Sequence, residues 1–294
     1  MKLTLLGTGS PRPDPKRRGP SQVVEVGDDL ILVDCGSGAL HRLVEAGYSF
    51  GAGEPGRHVP LRRIALTHLH SDHITGLPDL LWTGWILQWW DTPPLVVGPP
   101  GTARFIERLM DAFSYDISVR TKVEHNGLGR LVPEVEEIEE DWHETGAGWR
   151  LSAFRVDHHP VDQAFGFRLD GDAGSLVISG DTCECDNVVR HAEGAEVLLH
   201  EVYSRQGMAT RFDRATDPLA RARLAGIMSY HTPSDRVGHI ASRAGAKSLV
   251  LSHLVLGTGG TPEDIAADAS AAYDGPVMVG SDLQSISIGT NGEE

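Results

Sequence analysis

Thr67-His68-Leu69-His70-Ser71-Asp72-His73-Ile74-Thr75-Gly76-Leu77-Pro78-Asp79-Leu80 is the stretch on which the reading of this chain turns. Four side chains able to hold a divalent ion, His68, His70, Asp72 and His73, fall within six residues of it. Imidazole and carboxylate are common ligands of zinc and similar ions. The apolar run Arg63–Leu66 just before them reads as a strand. A regular strand or helix would scatter the four side chains, whereas a loop at a strand end can turn them inward toward more than one ion. One such cluster cannot close two metal sites, so further ligands are expected at other strand ends. Candidates are His158 or His159 after the strand ending at Val156, Asp181 in Ser179-Gly180-Asp181-Thr182, and His253 in Leu251-Ser252-His253-Leu254. Each follows an apolar run and opens a loop.

Outward from this stretch, short β-type runs at Leu3–Leu6, Val23–Val26 and Leu30–Asp34 are bounded by Gly, Pro and Asp clusters. Helical periodicity appears at Gly38–Ala46, near Ile74–Trp82, at Thr102–Ala112, and again at Arg221–Met228, Asp235–Ala244 and Pro262–Tyr273. The acidic stretch Glu134–Glu144 reads as a solvated loop or edge. Strands in meanders with helices between some of them predict an α+β domain over residues 1–294, with two β-sheets and helices packed outside. A doubly wound parallel sheet is the rival. It is weakened by connections too short for a crossover helix.

The 294 residues are 40% hydrophobic and 23% charged, enough for a large core and too apolar for a disordered chain. Lys and Arg number 26 against 41 Asp and Glu, a formal charge of −15 that argues against a broad basic face for duplex nucleic acid. Three cysteines make no disulfide framework, which fits a reducing cytoplasm, and no run is long enough to span a membrane. Gly7-Thr8-Gly9 lacks the third glycine of a dinucleotide fingerprint and reads as a turn beside the site.

THLHSDHITGLPDL, the strand followed by SGDT, and the late LVLSHL resemble the metallo-β-lactamase superfamily over nearly the whole chain. The opening LLGTGSPRPDPKRRGPS, the segments VDCGSG, GPPGT, VDHHPVDQAFGFR and HEVYS, and the spacing of His231 from His253 resemble its ribonuclease Z and arylsulfatase-like branch. The resemblance implies a four-layer αβ/βα sandwich of two mixed sheets packed face to face. It also implies a site along one sheet edge, holding two divalent ions of zinc, or else Mn2+ or Fe2+. Carried over by position, one metal takes His68, His70 and His158, the other Asp72, His73 and His253, and Asp181 bridges them with a water or hydroxide. His158 is preferred to His159 because family members place the ligand two residues after the last Val of the strand. His231, in Tyr230-His231-Thr232-Pro233, is implied to give a proton to the leaving group, paired with Asp72, so Asp72 and His231 are the catalytic candidates.

For the substrate, ribonuclease Z uses a basic arm, usually inserted between the second histidine motif and the bridging aspartate. Only Pro160–Gly180 separate the two here, and that stretch reads as a hairpin. Trp82, Trp85, Trp89 and Trp90 lie just past the metal motif and could wall an apolar pocket, close it against water or form a contact in a homodimer, with core packing an equal reading for any one of them; Trp85 and Trp89 are the candidates to touch substrate. Arg12, Arg17 and Arg18 follow the first turn, and Arg18 is the candidate for an anionic group. The leading expectation is therefore hydrolysis of small-molecule esters, phosphodiesters or aryl sulfates before lactones and carboxylic esters, with nucleic acid disfavoured. The alternatives are a ribonuclease Z-like endonuclease acting on the 3′ end of transfer RNA, and a catalytically silent metal-binding or partner-binding protein.

Overall fold

A strand covered on both faces needs apolar residues at nearly every position. Asp29-Leu30-Ile31-Leu32-Val33 has them: Ile31 and Val33 enter one buried cluster, Leu30 and Leu32 another on the opposite face. The computed structural model describes residues 1–51, 56–139 and 141–289. Its first half runs through β1 (Lys2–Gly7), β2 (Ser21–Val26), β3 (Asp29–Val33), α1 (Ala39–Glu45), the short pair β4 (Tyr48–Ser49) and β5 (Arg57–His58), and β6 (Leu61–Ala65). It continues through α2 (Ser71–Ile74), α3 (Leu77–Ile86), β7 (Leu95–Gly98), α4 (Thr102–Ala112), α5 (Ser114–Val123) and β8 (Val135–Glu137). The second half contains β9 (His143–Gly146), β10 (Trp149–Arg155), β11 (Phe165–Gly171), β12 (Gly174–Ile178), α6 (Asp186–His191), β13 (Val197–Tyr203) and α7 (Arg205–Arg214). After these come α8 (Pro218–Ser229), α9 (Ser234–Ala244), β14 (Leu249–Val255), α10 (Pro262–Ser270), β15 (Val277–Val279) and β16 (Ser285–Ser287).

The strands form two seven-stranded sheets, ordered β16-β1-β2-β3-β6-β7-β8 and β15-β14-β13-β12-β11-β10-β9. Each is part antiparallel, through its hairpins and the β1–β16 pair, and part parallel: β3, β6, β7 and β8 run together in one, β12, β13, β14 and β15 in the other. The two mixed sheets expected from the sequence are thus present, because the short loops make hairpins while the helical segments make crossovers. Leu3, Leu5, Ile31 and Val33 from the first sheet meet Leu151, Phe167, Leu176 and Leu199 from the second in the central core. Helices α1 and α3 cover the other face of the first sheet, and α6, α9 and α10 that of the second. The result is the four-layer α+β sandwich of the metallo-β-lactamase fold.

The acidic segment, read as a solvated loop or edge, supplies β8 and the first residues of β9, the edge strands of the two sheets. One local reading changes. The helix near Ile74–Trp82 is two helices, α2 and α3, split at Thr75–Gly76. A Cβ on Gly76 would lie 2.2 Å from the carbonyl oxygen of Gly36, so the chain can cross the β3–α1 loop only with a glycine there. No helix among the described residues is long and apolar enough to cross a membrane.

Candidate dinuclear metal site

Parallel strands deliver their carboxyl ends to one rim, the usual place for a ligand in an open sheet. Asp34 follows β3, the Thr67–His70 loop and the first turn of α2 follow β6, and Asp181 follows β12, while Glu201 and His253 lie near the ends of β13 and β14. His158 comes three residues after β10. Asp34 (φ 56°) and His253 (φ 46°) hold left-handed backbone angles that cost a non-glycine residue roughly 1–3 kcal/mol. Gly180 (φ 62°) turns the chain after β12, where an added Cβ would lie 2.5 Å from the Phe165 carbonyl oxygen.

The rim gathers the seven expected ligand residues. His68, His70, His158 and Asp181 form one group and Asp72, His73 and His253 another, with ligand atoms within 4.8 Å of one another inside each. Asp181 lies between the groups: its Oδ2 is 3.2 Å from His73 Nε2, 3.4 Å from His253 Nε2 and 3.8 Å from His68 Nε2. Asp72 Oδ2 is 3.3 Å from His253 Nε2, and His158 Nε2 is 3.3 Å from His70 Nδ1. His68 Nε2, His73 Nε2 and Asp181 Oδ1 are buried without a hydrogen-bond partner. Buried polar atoms left this way cost about 1–3 kcal/mol each unless something answers them. Lone pairs converging from imidazoles and carboxylates are the donor set of a pair of divalent cations, and the residues fit them.

The far sides of the rings are held so that Nε2 faces inward. Asp34 Oδ2 accepts from His73 Nδ1 at 2.8 Å, and Asp34 also accepts from the Thr67 amide at 2.8 Å and hydroxyl at 2.9 Å. With its hydroxyl proton committed to Asp34, Thr67 Oγ1 accepts from His68 Nδ1 at 3.0 Å. His158 Nδ1 donates to the Tyr230 carbonyl at 2.9 Å. A carboxylate, a hydroxyl and a carbonyl thereby fix three tautomers with a lone pair on Nε2, the usual outer support of metal-binding histidines. Asp34 was visible in VDCGSG, but nothing in its spacing disclosed that it would brace His73.

Electrostatics divide the histidines. Burial, then the neighbouring His73, pushes His68 well below its ordinary pKa, and burial likewise lowers His70 and His158 toward the neutral, ligating form. Burial also opposes charge at His73, but Asp181 and Asp34 outweigh it and raise its pKa well above the usual value. Burial would lift Asp181, yet His253 and His73 hold its carboxyl well below the normal range.

His231 sits beside this rim, buried, its ring 5.5 Å from that of His253 and nearly parallel to it. The carboxylate beside it is not the expected Asp72, whose Oδ2 faces His253 and His73 instead. It is Glu201, with Oε2 3.2 Å from His231 Nδ1 and Oε1 accepting from the Thr232 amide at 2.8 Å. Burial works against a charged His231, but Glu201 and then Asp181 raise its pKa to about 9. The segment HEVYS contained Glu201 without marking it, since a carboxylate thirty residues upstream of a histidine carries no spacing signal.

Other candidates separate. The side chain of His159 is 81% exposed and pairs with Asp162 at 3.8 Å, away from the rim. Arg18 lines a cavity of about 470 Å³ with Arg12, Arg17, Ser71 and Asp72, so it is at the mouth of the site. The tryptophans divide between the core and a partly open edge. Trp85 is fully buried in the core under the first sheet, its Nε1 donating to Gly127 O at 3.1 Å, and Trp82 is buried with it. Trp89 packs on Phe50 and lines a separate cavity with Trp90, Phe50 and Pro60. An apolar stripe on a helix under a sheet is used for packing, so Trp85 does not touch substrate, while Trp89 and Trp90 lie past the helix and are only partly buried.

Fold and site together define a metal-dependent hydrolase of the metallo-β-lactamase superfamily acting on ester bonds. Residues 1–253 match the family model described as "Anti-Pycsar protein Apyc1". The chain is 37% identical over 296 aligned residues to Ribonuclease Z of Mycobacterium bovis (strain BCG / Pasteur 1173P2), covering 98% of both proteins. It is 36% identical to Ribonuclease Z of Mycobacterium tuberculosis (strain ATCC 25618 / H37Rv), again over 98% of both. Among solved structures it resembles human tRNase Z, short form, with a TM-score of 0.68, 24% identity and coverage of 98% of this chain and 99% of that one. It also resembles the metallo-β-lactamase fold protein YhfI from Bacillus subtilis, with a TM-score of 0.69, 20% identity and coverage of 97% and 98%. The chain belongs to the ribonuclease Z branch of the superfamily, within the family that the matching model describes. Relatives named Ribonuclease Z over nearly full length overturn the expectation of a small-molecule ester partner with nucleic acid disfavoured. The physical error was to read a summed charge as a local one, since −15 over the whole chain leaves individual faces free to be basic. A catalytically silent protein is set aside on the same relatives.

Proposed function

We propose that this protein is a ribonuclease Z-like phosphodiesterase that cleaves precursor transfer RNA at its 3′ end, as one hydrolase domain over residues 1–294. The observation that carries the reading is the convergence of His68 Nε2, His73 Nε2 and Asp181 Oδ1, buried and unpartnered, beside His231 on its carboxylate. In this reading His68, His70 and His158 hold one divalent ion and Asp72, His73 and His253 the other, with Asp181 shared between them. Zinc suits this nitrogen and carboxylate set, and Mn2+ or Fe2+ would also be accepted. When bound, the pair of ions supplies a nucleophile at neutral pH and neutralises charge on the phosphoryl oxygens.

The protein's own groups do the rest. His231 is in the charged form up to a pKa of about 9, so it carries a proton to give to the departing ribose oxygen. Glu201 Oε2 faces His231 Nδ1 at 3.2 Å as an ion pair, which in this reading leaves Nε2 as the acid. Asp34 and Thr67 keep His73 and His68 from rotating. Arg18, at the mouth, meets the phosphate backbone. A cytoplasmic location goes with this reading, supported by three free cysteines.

The deciding experiment is incubation of the zinc-loaded protein with a 3′-extended precursor transfer RNA near physiological salt, with the new ends mapped. Cleavage at the junction of acceptor stem and trailer is expected. Turnover of small phosphodiesters with the precursor left intact would overturn the reading.

A further inference from the structure

The arm expected between His158 and Asp181 is replaced by the tight β11–β12 hairpin, whose strands close at Gly171 and Gly174. Basic residues collect elsewhere. Helices α7 and α8 form a helical hairpin whose two ends meet the acid pair: Glu201 lies four residues before α7, and His231 two residues after α8. The hairpin is built round its own small cluster of Met208 and Leu224, with Phe212, Ala215 and Ile227 packed against it. Residues 205–229 contain five arginines against two aspartates, a net charge of +3 in a chain of −15.

Two of those arginines are used internally. Arg205 pairs with Asp235, and Arg221 lies 3.9 Å over the Phe212 ring while donating to the Phe212 and Ala215 carbonyls. Arg211, Arg214 and Arg223 are exposed and have no carboxylate within ion-pair distance among the described residues. Elsewhere on this acidic surface arginines are commonly paired, as Arg57, Arg63, Arg120, Arg236 and Arg243 are. Arg211 also lines a cavity of about 320 Å³ with Arg12 and Arg17, which ties the hairpin to the loop at the mouth of the site.

We propose that the α7–α8 hairpin is the RNA-docking element of this protein, with Arg211, Arg214 and Arg223 on the phosphate backbone. The partner follows from charge complementarity: three exposed guanidiniums without a carboxylate partner on a basic helical hairpin, within an acidic chain, fit a polyanion. A nucleic acid seated there spans from the hairpin across Arg211 and Arg12 to the rim. This inference rests on the transfer-RNA reading above.

The test is the triple variant Arg211→Gln/Arg214→Gln/Arg223→Gln, with Arg211→Lys/Arg214→Lys/Arg223→Lys as the charge-retaining control. Binding of labelled precursor transfer RNA is measured by anisotropy across a salt series, alongside hydrolysis of bis(4-nitrophenyl) phosphate. The Gln variant should bind about tenfold or more weakly near 0.1 M salt, and its log–log salt slope should be shallower by about 2–3, as loss of three phosphate contacts requires. The Lys control should keep most of the slope, and both variants should hydrolyse the small diester at the parental rate. Equal affinity and slope in the Gln variant and the parent would overturn the proposal. If the parent binds precursor with this hairpin-dependent slope yet does not cleave it, the processing function falls and the docking surface stands. If the parent binds no RNA, both fall.

Discussion

Glu201 Oε2 lies 3.2 Å from His231 Nδ1, both side chains buried, and this carboxylate raises the pKa of a histidine beside a metal-type rim. An acid for a leaving group needs its proton at the working pH, and a carboxylate beside the ring favours the protonated form. The sign of the pH effect follows. Because the folded pKa is raised to about 9, the stabilising contribution of the charged ring is complete below the unfolded value near 6.5 and is lost as pH climbs through about 9. With two cations nearby the loss comes at or below that point.

Glu201→Gln should therefore move the alkaline limb of the kcat/KM profile to lower pH, since the charged ring loses its main support. Turnover near pH 7.5 should fall on the order of 10²-fold, with metal content unchanged. A limb that does not move would assign Glu201 a purely structural role through its bond to the Thr232 amide.

His231→Ala should retain both metals and lose turnover by on the order of 10²–10⁴-fold. The loss should shrink for an aryl phosphodiester, whose phenolate leaves without a proton, relative to an alkyl diester of the same acid. Equal losses on the two would point to substrate positioning, and loss of metal would make His231 a ligand.

His158 and His159 are neighbours in sequence with opposite surroundings. His158→Ala should reduce metal content and activity together, because its Nε2 faces the rim while Nδ1 is tied to the Tyr230 carbonyl. His159→Ala should keep both, since that side chain is out in solvent. Elemental analysis of the two variants decides it, and the reverse pattern would mean the register is wrong.

Asp34→Asn keeps the size of the side chain but weakens its hold on His73 Nδ1. Metal affinity should drop on the order of 10–100-fold, as measured by competition with a chromogenic chelator. An unchanged affinity would show that His73 needs no brace.

Two divalent ions per chain are expected from the paired ligand groups around Asp181. Chelation should abolish activity and lower the melting temperature. The linkage is about 2.7 kcal/mol for a site held at one hundred times its dissociation constant. A single tight ion after purification without chelator would count against the pair.

The sequence by itself determined the chemistry of the rim and the class of the fold. His68, His70, Asp72 and His73 sit within six residues, so their proximity is a covalent fact, and strands buried on both faces announce themselves as near-continuous apolar runs. The later candidates were legible because each lies at or just past the end of an apolar run, although His253 is still inside β14. Tertiary structure alone decided which carboxylate serves His231, that Asp34 braces His73, that Trp85 belongs to the core, and where unpaired positive charge gathers on an acidic chain. Those are relations between residues 30 to 40 positions apart, or between one side chain and everything packed around it. Sequence spacing does not encode them, because burial and pairing exist only once two sheets have closed on each other.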